Sequence, residues 1–162
     1  MHALFDEWLK FAEQIGRVCV TEKRVITGAE SCTGGLIAAV LTSVSGSSAW
    51  VDRSFVTYSN EAKMEMLGVS AATLEIFGAV SEETAREMAL GALSRSRATM
   101  AYSVTGVAGP TGGTATKPVG MVCFGFADIH GVTTATCHFA GDRSAVREQS
   151  VNFVLARLIV RN

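Results

Sequence analysis

The chain has 162 residues, 48% of them apolar, which suits one hydrophobic core. With 14 basic and 15 acidic residues its formal net charge is -1, which offers no bulk attraction for nucleic acid or an anionic membrane. No run approaches the roughly 18 uninterrupted apolar residues that span a bilayer, and Asp6 and Glu7 stand where a secretory signal would be basic and then apolar, so a cytoplasmic protein is expected.

Phe5, Trp8, Leu9, Ala12, Ile15 and Cys19 recur at helical spacing and predict an amphipathic helix ending near Glu22 and Lys23. Val25-Ile26-Thr27 reads as a short buried strand. It runs into Ala29-Glu30-Ser31-Cys32-Thr33-Gly34-Gly35, a glycine turn, after which Leu36, Ile37, Val40 and Leu41 restart a helical period. Beyond Gly46-Ser47-Ser48, the β-branched and aromatic run Phe55-Val56-Thr57-Tyr58 predicts a second strand. Ser59 and Asn60 are N-cap types, Glu61 suits a positive first turn, and Met64 and Leu67 are expected to point inward from the short helix that Gly68 closes. Ser70 opens another short helix that Gly78 ends, and Ser81 starts a longer one with a narrow stripe of Ala85, Met88, Ala89 and Ala92.

Met100 to Val104 predicts a third strand, followed by a glycine-rich loop from Thr105 to Gly113. Val119 to Ala127 and Val132 to Phe139 read as antiparallel strands of a hairpin turning at Asp128-Ile129-His130-Gly131. Asp142 caps a last helix with Val151, Val154, Leu155 and Leu158 on one face. This alternation predicts an α/β fold, one domain over residues 1–162, with helices packed on the faces of a mixed β-sheet.

Cys19, Cys32, Cys123 and Cys137 form no C-x-x-C pair, and His2, His130 and His138 show no i, i+4 pairing, so neither a disulfide framework nor a metal site is expected. A metal-assisted hydrolase built from Cys32, Cys137 and His138 is disfavoured by their spacing.

Ligands of open α/β sheets bind beyond the carboxyl ends of the strands, where both glycine-rich loops of this chain are predicted to lie. The first loop, with Glu30, Thr33, Gly34 and Gly35 as binding candidates, leads into a helix whose free N–H groups suit a phosphate or an oxyanion. Its glycines fit equally a tight turn that needs positive φ. Ser31, Thr33, Ser47, Ser48 and Thr105 supply hydroxyls, but no His/Asp set accompanies them and G-x-S-x-G is absent. A serine without histidine needs another base, such as a desolvated lysine or a tyrosinate. Tyr58 and Lys63, across a strand-to-helix junction, are the candidates. On spacing alone, the plain readings are a packing role for Tyr58 and a solvated helix charge for Lys63.

The strings Ala29 to Gly35, Gly46-Ser47-Ser48-Ala49-Trp50 and Phe55 to Lys63 resemble the signature of the CinA C-terminal family. Gly78-Ala79-Val80-Ser81, Thr105 to Pro110 with Gly112-Gly113, Lys117-Pro118-Val119-Gly120 and Gly141-Asp142-Arg143 resemble that family's further motifs, in order and over nearly the whole chain. The resemblance implies hydrolysis of the carboxamide of nicotinamide mononucleotide to nicotinic acid mononucleotide and ammonia, in pyridine nucleotide recycling, with no metal or organic cofactor. It implies a stand-alone form without the extra N-terminal domain of longer members, and family habit suggests a homodimer.

Residue chemistry then assigns roles. Ser31 is the leading nucleophile, with Lys63 and Tyr58 as base and acid, and Ser48 is the runner-up nucleophile in its own glycine-serine loop. Cys32, without a histidine neighbour, is read as a structural thiol. Backbone N–H groups near Thr33 to Gly35 are expected to hold the oxyanion, and Thr105, Gly106 and Gly109 the ribose or phosphate. Arg143 is either a phosphate partner or a plain surface charge. The rival reading is a non-catalytic nucleotide-binding or regulatory module linked to competence or DNA damage, though the balanced charge argues against direct DNA binding.

Overall fold

The structure, a computed structural model, describes residues 2–160; Met1, Arg161, Asn162 and the side chain of His2 lie outside the described residues. The first apolar period forms α1 (His2–Glu22), which buries Trp8, Ala12, Ile15 and Cys19. β1 (Ile26–Glu30) extends past its β-branched start through Gly28, Ala29 and Glu30. Parallel strands on both sides supply its ladder, so neighbours override the poor strand propensity of those residues. α2 (Leu36–Thr42) follows the glycine turn.

β2 (Val51–Val56) begins before the aromatic run and stops short of Thr57 and Tyr58. It is an edge strand, half exposed, and tolerates Asp52 and Arg53 that a central strand would reject. With β3 (Met100–Gly106), β4 (Met121–Asp128) and β5 (Gly131–His138), the strands form one sheet in the order β2-β1-β3-β4-β5. The pairs β1–β2 and β1–β3 are parallel, while β3–β4 and β4–β5 are antiparallel, which is the mixed sheet expected.

Helices cover both faces. α1, α2 and α6 (Arg143–Ile159) pack over Ile26, Tyr102, Val104, Val122, Phe124 and Phe126. α3 (Asn60–Leu67) and α5 (Glu82–Ser94) lie on the other face over Ala29, Ala101 and Ala127, with α4 (Ala71–Phe77) against α5. Small residues set the spacing there: a Cβ at Gly91 of α5 would overlap the backbone of Leu67, the last residue of α3.

This close seat decides which side chains of α3 reach the interior. They are Lys63 and Leu67, one helical turn apart; Met64, expected to point inward, is only half buried, whereas Lys63 is 1% exposed. A hydrophobic period assigns lysine to solvent, and its inward turn depends on acceptors outside α3, two in the preceding turn and one on the segment after β1. No helix among the described residues is long and apolar enough to cross a membrane.

Candidate active site

Successive strand residues face opposite sides of a sheet. At the carboxyl end of β1 this sends Glu30 toward α2 and Ser31, just past the strand, toward α3, where the Ser31 amide continues the ladder by donating to Val104 O at 3.0 Å. Lys63 Nζ lies 3.0 Å from Ser31 Oγ, 2.8 Å from Thr57 O and 3.3 Å from Tyr58 O. Three acceptors match the three N–H bonds of an ammonium. In the neutral amine, two N–H bonds serve the carbonyls and the lone pair is left for the serine proton.

Burial pushes the Lys63 amine down from 10.5 to about 8, with Cys32 acting weakly in the other direction. The chemistry of a general base near neutrality is thereby available. Burial also pushes the adjacent Cys32 thiol up to about 11, which keeps it protonated and matches its reading as a structural thiol. Thr57, whose carbonyl holds Lys63, has the buried Oγ1 that is without a hydrogen-bond partner among the described residues.

Glu30 faces the start of α2. It is fully buried, its Oε1 accepting from Thr33 Oγ1 at 2.6 Å and from the amides of Gly35 and Ile37, its Oε2 from the Ala38 amide at 2.9 Å and Tyr102 Oη at 3.1 Å. The N-terminus of α2, expected to receive a phosphate, is filled from within by this side chain. Tyr102 reaches it across Gly28, its register partner on β1, where a Cβ would overlap the tyrosine ring. The burial and the neighbouring Glu30 carboxylate both raise the Tyr102 hydroxyl well above its usual value, so it donates.

The oxyanion expectation shifts for the same reason. The Gly35 amide is held by Glu30 and the Gly34 amide by Ser31 O at 3.0 Å, and Thr33 points its hydroxyl at Glu30. Among the described residues no carbonyl or carboxylate accepts from the Cys32 and Thr33 amides of this turn, and the Cys32 amide lies against its own thiol. Gly34 and Gly35 shape the turn, both with positive φ, and their amides already have acceptors within the chain.

Tyr58 is 62% exposed, beyond the end of β2, and Lys63 meets only its carbonyl. Its hydroxyl accepts from Arg143 Nη2 at 3.2 Å, and Arg143 Nη1 donates to Gly109 O at 2.9 Å. Tyr58 is thus separated from the Ser31–Lys63 pair as an acid and grouped with Arg143 and Gly109. Arg143 lines a groove with Pro110, Val119, Asp142 and Ser144. The Thr105 side chain is buried and its hydroxyl donates to Ala79 O at 2.8 Å, while Gly106 is partly exposed beside it.

Ser48 is in the wrong place for a nucleophile acting with Lys63. It sits in the one-turn helix Ser47–Ala49 that precedes β2, and the register sets Val51 beside Ile26 but Val56 beside Glu30. Ser48 is at the amino edge of these parallel strands and Ser31 at the carboxyl edge. The metal-assisted arrangement fails on strand order: β3 and β4 separate Cys32, after β1, from Cys137 and His138 on β5, roughly 14 Å at about 4.8 Å per strand.

Arg147 of α6 had no signal in the sequence. Its Nε donates to Cys32 O and its Nη2 to Thr33 O, both at 3.1 Å. Only its i+4 spacing from Arg143 marks it as sharing that arginine's helix face.

The CinA C-terminal domain family matches residues 9–161. A nicotinamide-nucleotide amidohydrolase PncC of Enterobacter agglomerans is 57% identical over 143 residues, spanning 88% of this chain and 87% of that protein. The protein of the same name from Escherichia coli K12 is 50% identical over 155 residues, 94% and 93% of the two chains. Among solved structures, the competence/damage inducible protein CihA from Agrobacterium tumefaciens superposes with a TM-score of 0.91 at 47% identity, covering 94% of this chain and 93% of that one.

Proposed function

The chain belongs to the CinA C-terminal domain family, and from that premise we propose that residues 1–162 act as one nicotinamide-nucleotide amidohydrolase domain, converting nicotinamide mononucleotide and water to nicotinic acid mononucleotide and ammonia in pyridine nucleotide recycling. The observation that carries the chemistry is the Lys63 amine, 3.0 Å from Ser31 Oγ and brought down to about 8 by burial.

Neutral Lys63 takes the Ser31 proton as Oγ attacks the carboxamide carbon, and the Cys32 and Thr33 amides receive the oxyanion. As the tetrahedral intermediate collapses, the C–N bond breaks and Lys63 returns the proton to the departing ammonia. The resulting ester is hydrolysed by water that Lys63 deprotonates, releasing the carboxylate and restoring the serine hydroxyl. Arg143, with Tyr58 and Gly109, holds the phosphate end at the mouth of the site, and its binding energy orients the ring.

The reading needs a small-molecule substrate, no nucleic acid and no membrane, and fits a cytoplasmic enzyme. A homodimer is its assembly, with Ile76 and Phe77 exposed on α4 as available apolar surface; light scattering on purified protein tests it. The activity is tested by ammonia release from nicotinamide mononucleotide, beside free nicotinamide and the dinucleotide. No release at high enzyme concentration, with the mononucleotide still bound, returns the non-catalytic binding module.

A further inference from the structure

We propose that Arg147 and Glu30 are positioning residues that clamp the Ser31–Gly35 turn from two sides and aim the Cys32 and Thr33 amides at the reacting carbonyl; the inference rests on Ser31 being the nucleophile. A trans peptide is planar, so its N–H points opposite to its C=O. The carbonyl of Ser31 is taken by the Gly34 amide, which turns the Cys32 N–H the other way. The carbonyl of Cys32 is taken by Arg147 Nε at 3.1 Å, which directs the Thr33 N–H away from α6. Arg147 Nη2 holds the next carbonyl, that of Thr33, at 3.1 Å.

Glu30 acts from the other side. Its Oε1 fixes the Thr33 hydroxyl at 2.6 Å and its two oxygens fix the Gly35, Ile37 and Ala38 amides. The later amides are consumed internally, whereas those of the two residues directly after Ser31 meet no carbonyl or carboxylate, the Cys32 amide touching only its own thiol. The amide following a nucleophile is a recurrent oxyanion donor in acyl transfer. Two carbonyls held by one planar guanidinium are a fork that a lysine cannot reproduce. The turn is thus rigid before substrate arrives, and the cost of aligning the donors is met in folding.

The test is steady-state turnover of nicotinamide mononucleotide by Arg147→Gln, Arg147→Lys and Glu30→Gln, with Ser31→Ala in parallel and thermal unfolding of each. Arg147→Gln should lower kcat by about 100-fold, the loss typical of one oxyanion donor, with KM within about twofold. The lower limb of the pH profile should stay near 8, because Lys63 is untouched. Arg147→Lys should remain impaired although the charge is kept. A half-buried arginine is replaceable without loss of the core; if Arg147→Gln nevertheless fails to fold, the fully buried Glu30→Gln and the Lys variant carry the same kcat-against-KM reading. Unchanged kcat, a raised KM with kcat intact, or full recovery in Arg147→Lys overturns the clamp. If Ser31→Ala keeps activity, the nucleophile reading fails instead, whatever the arginine variants do.

Discussion

Lys63 Nζ and Ser31 Oγ meet at 3.0 Å although the residues come from different helix–strand junctions, and burial brings the amine to about 8. If Lys63 must be neutral to accept the serine proton, kcat/KM rises tenfold per pH unit below about 8 and levels above it. A pH–rate profile checks this; a flat profile between pH 6 and 9 would falsify the lysine as base. The same shift has a sign in stability. Because the folded pKa lies below the unfolded one, the unfolded chain binds the extra proton between about 8 and 10.5, so the penalty is full below 8 and fades as pH rises to 10.5. Relative to Lys63→Met, the Tm of the parent protein should improve across that window.

Ser31→Ala and Lys63→Ala should each reduce turnover by at least about 100-fold without unfolding the protein, and the double variant should lose little more than the worse single one. Ser48→Ala, at the opposite edge of the sheet, should keep activity. An inactive Ser48→Ala beside an active Ser31→Ala would move the nucleophile.

Tyr58→Phe and Arg143→Ala should act mainly on KM. The Tyr58 hydroxyl orients Arg143 at 3.2 Å and does not contact Lys63, so its loss should raise KM by roughly threefold, and loss of the guanidinium by more than about tenfold. The discriminating measurement is the ratio between mononucleotide and free nicotinamide turnover, which Arg143→Ala should shrink. A Tyr58→Phe variant with kcat lowered 100-fold would restore the tyrosine as an acid.

Gly91→Ala should destabilise the protein by about 1–3 kcal/mol, since the added methyl meets the Leu67 backbone and not a flexible side chain. Thermal unfolding measures the loss. Activity at a temperature where the variant is folded should also fall, because α3 carries Lys63 as well as Leu67. Full stability with full activity would mean that the α3–α5 seat is not what places the lysine.

Most of this architecture was legible from the sequence because the signals are local: a 3.6-residue period in α1 and α6, an apolar and aromatic run in β4 and a β-branched run in β5, a serine or aspartate at the start of α3, α5 and α6. The residue types Ser31 and Lys63, and their places beside a glycine turn and a strand-to-helix junction, were also written in the chain. Their pairing could be expected from residue chemistry, but its geometry and the choice between Ser31 and Ser48 could not. Strand register decided that Ser48 stands at one edge and Ser31 at the other, and no local pattern carries register between parallel strands joined by a helix. Only packed neighbours could decide that Lys63 turns inward while Met64 stays half exposed, since its three acceptors include two carbonyls outside α3 and a serine on another element. Likewise Glu30 and Tyr102 lie 72 residues apart, and Arg147 stands 115 residues from the carbonyl of Cys32 that it holds. A hydrogen bond is satisfied by whichever partner the fold delivers, so its geometry becomes fixed only when distant segments are folded against each other.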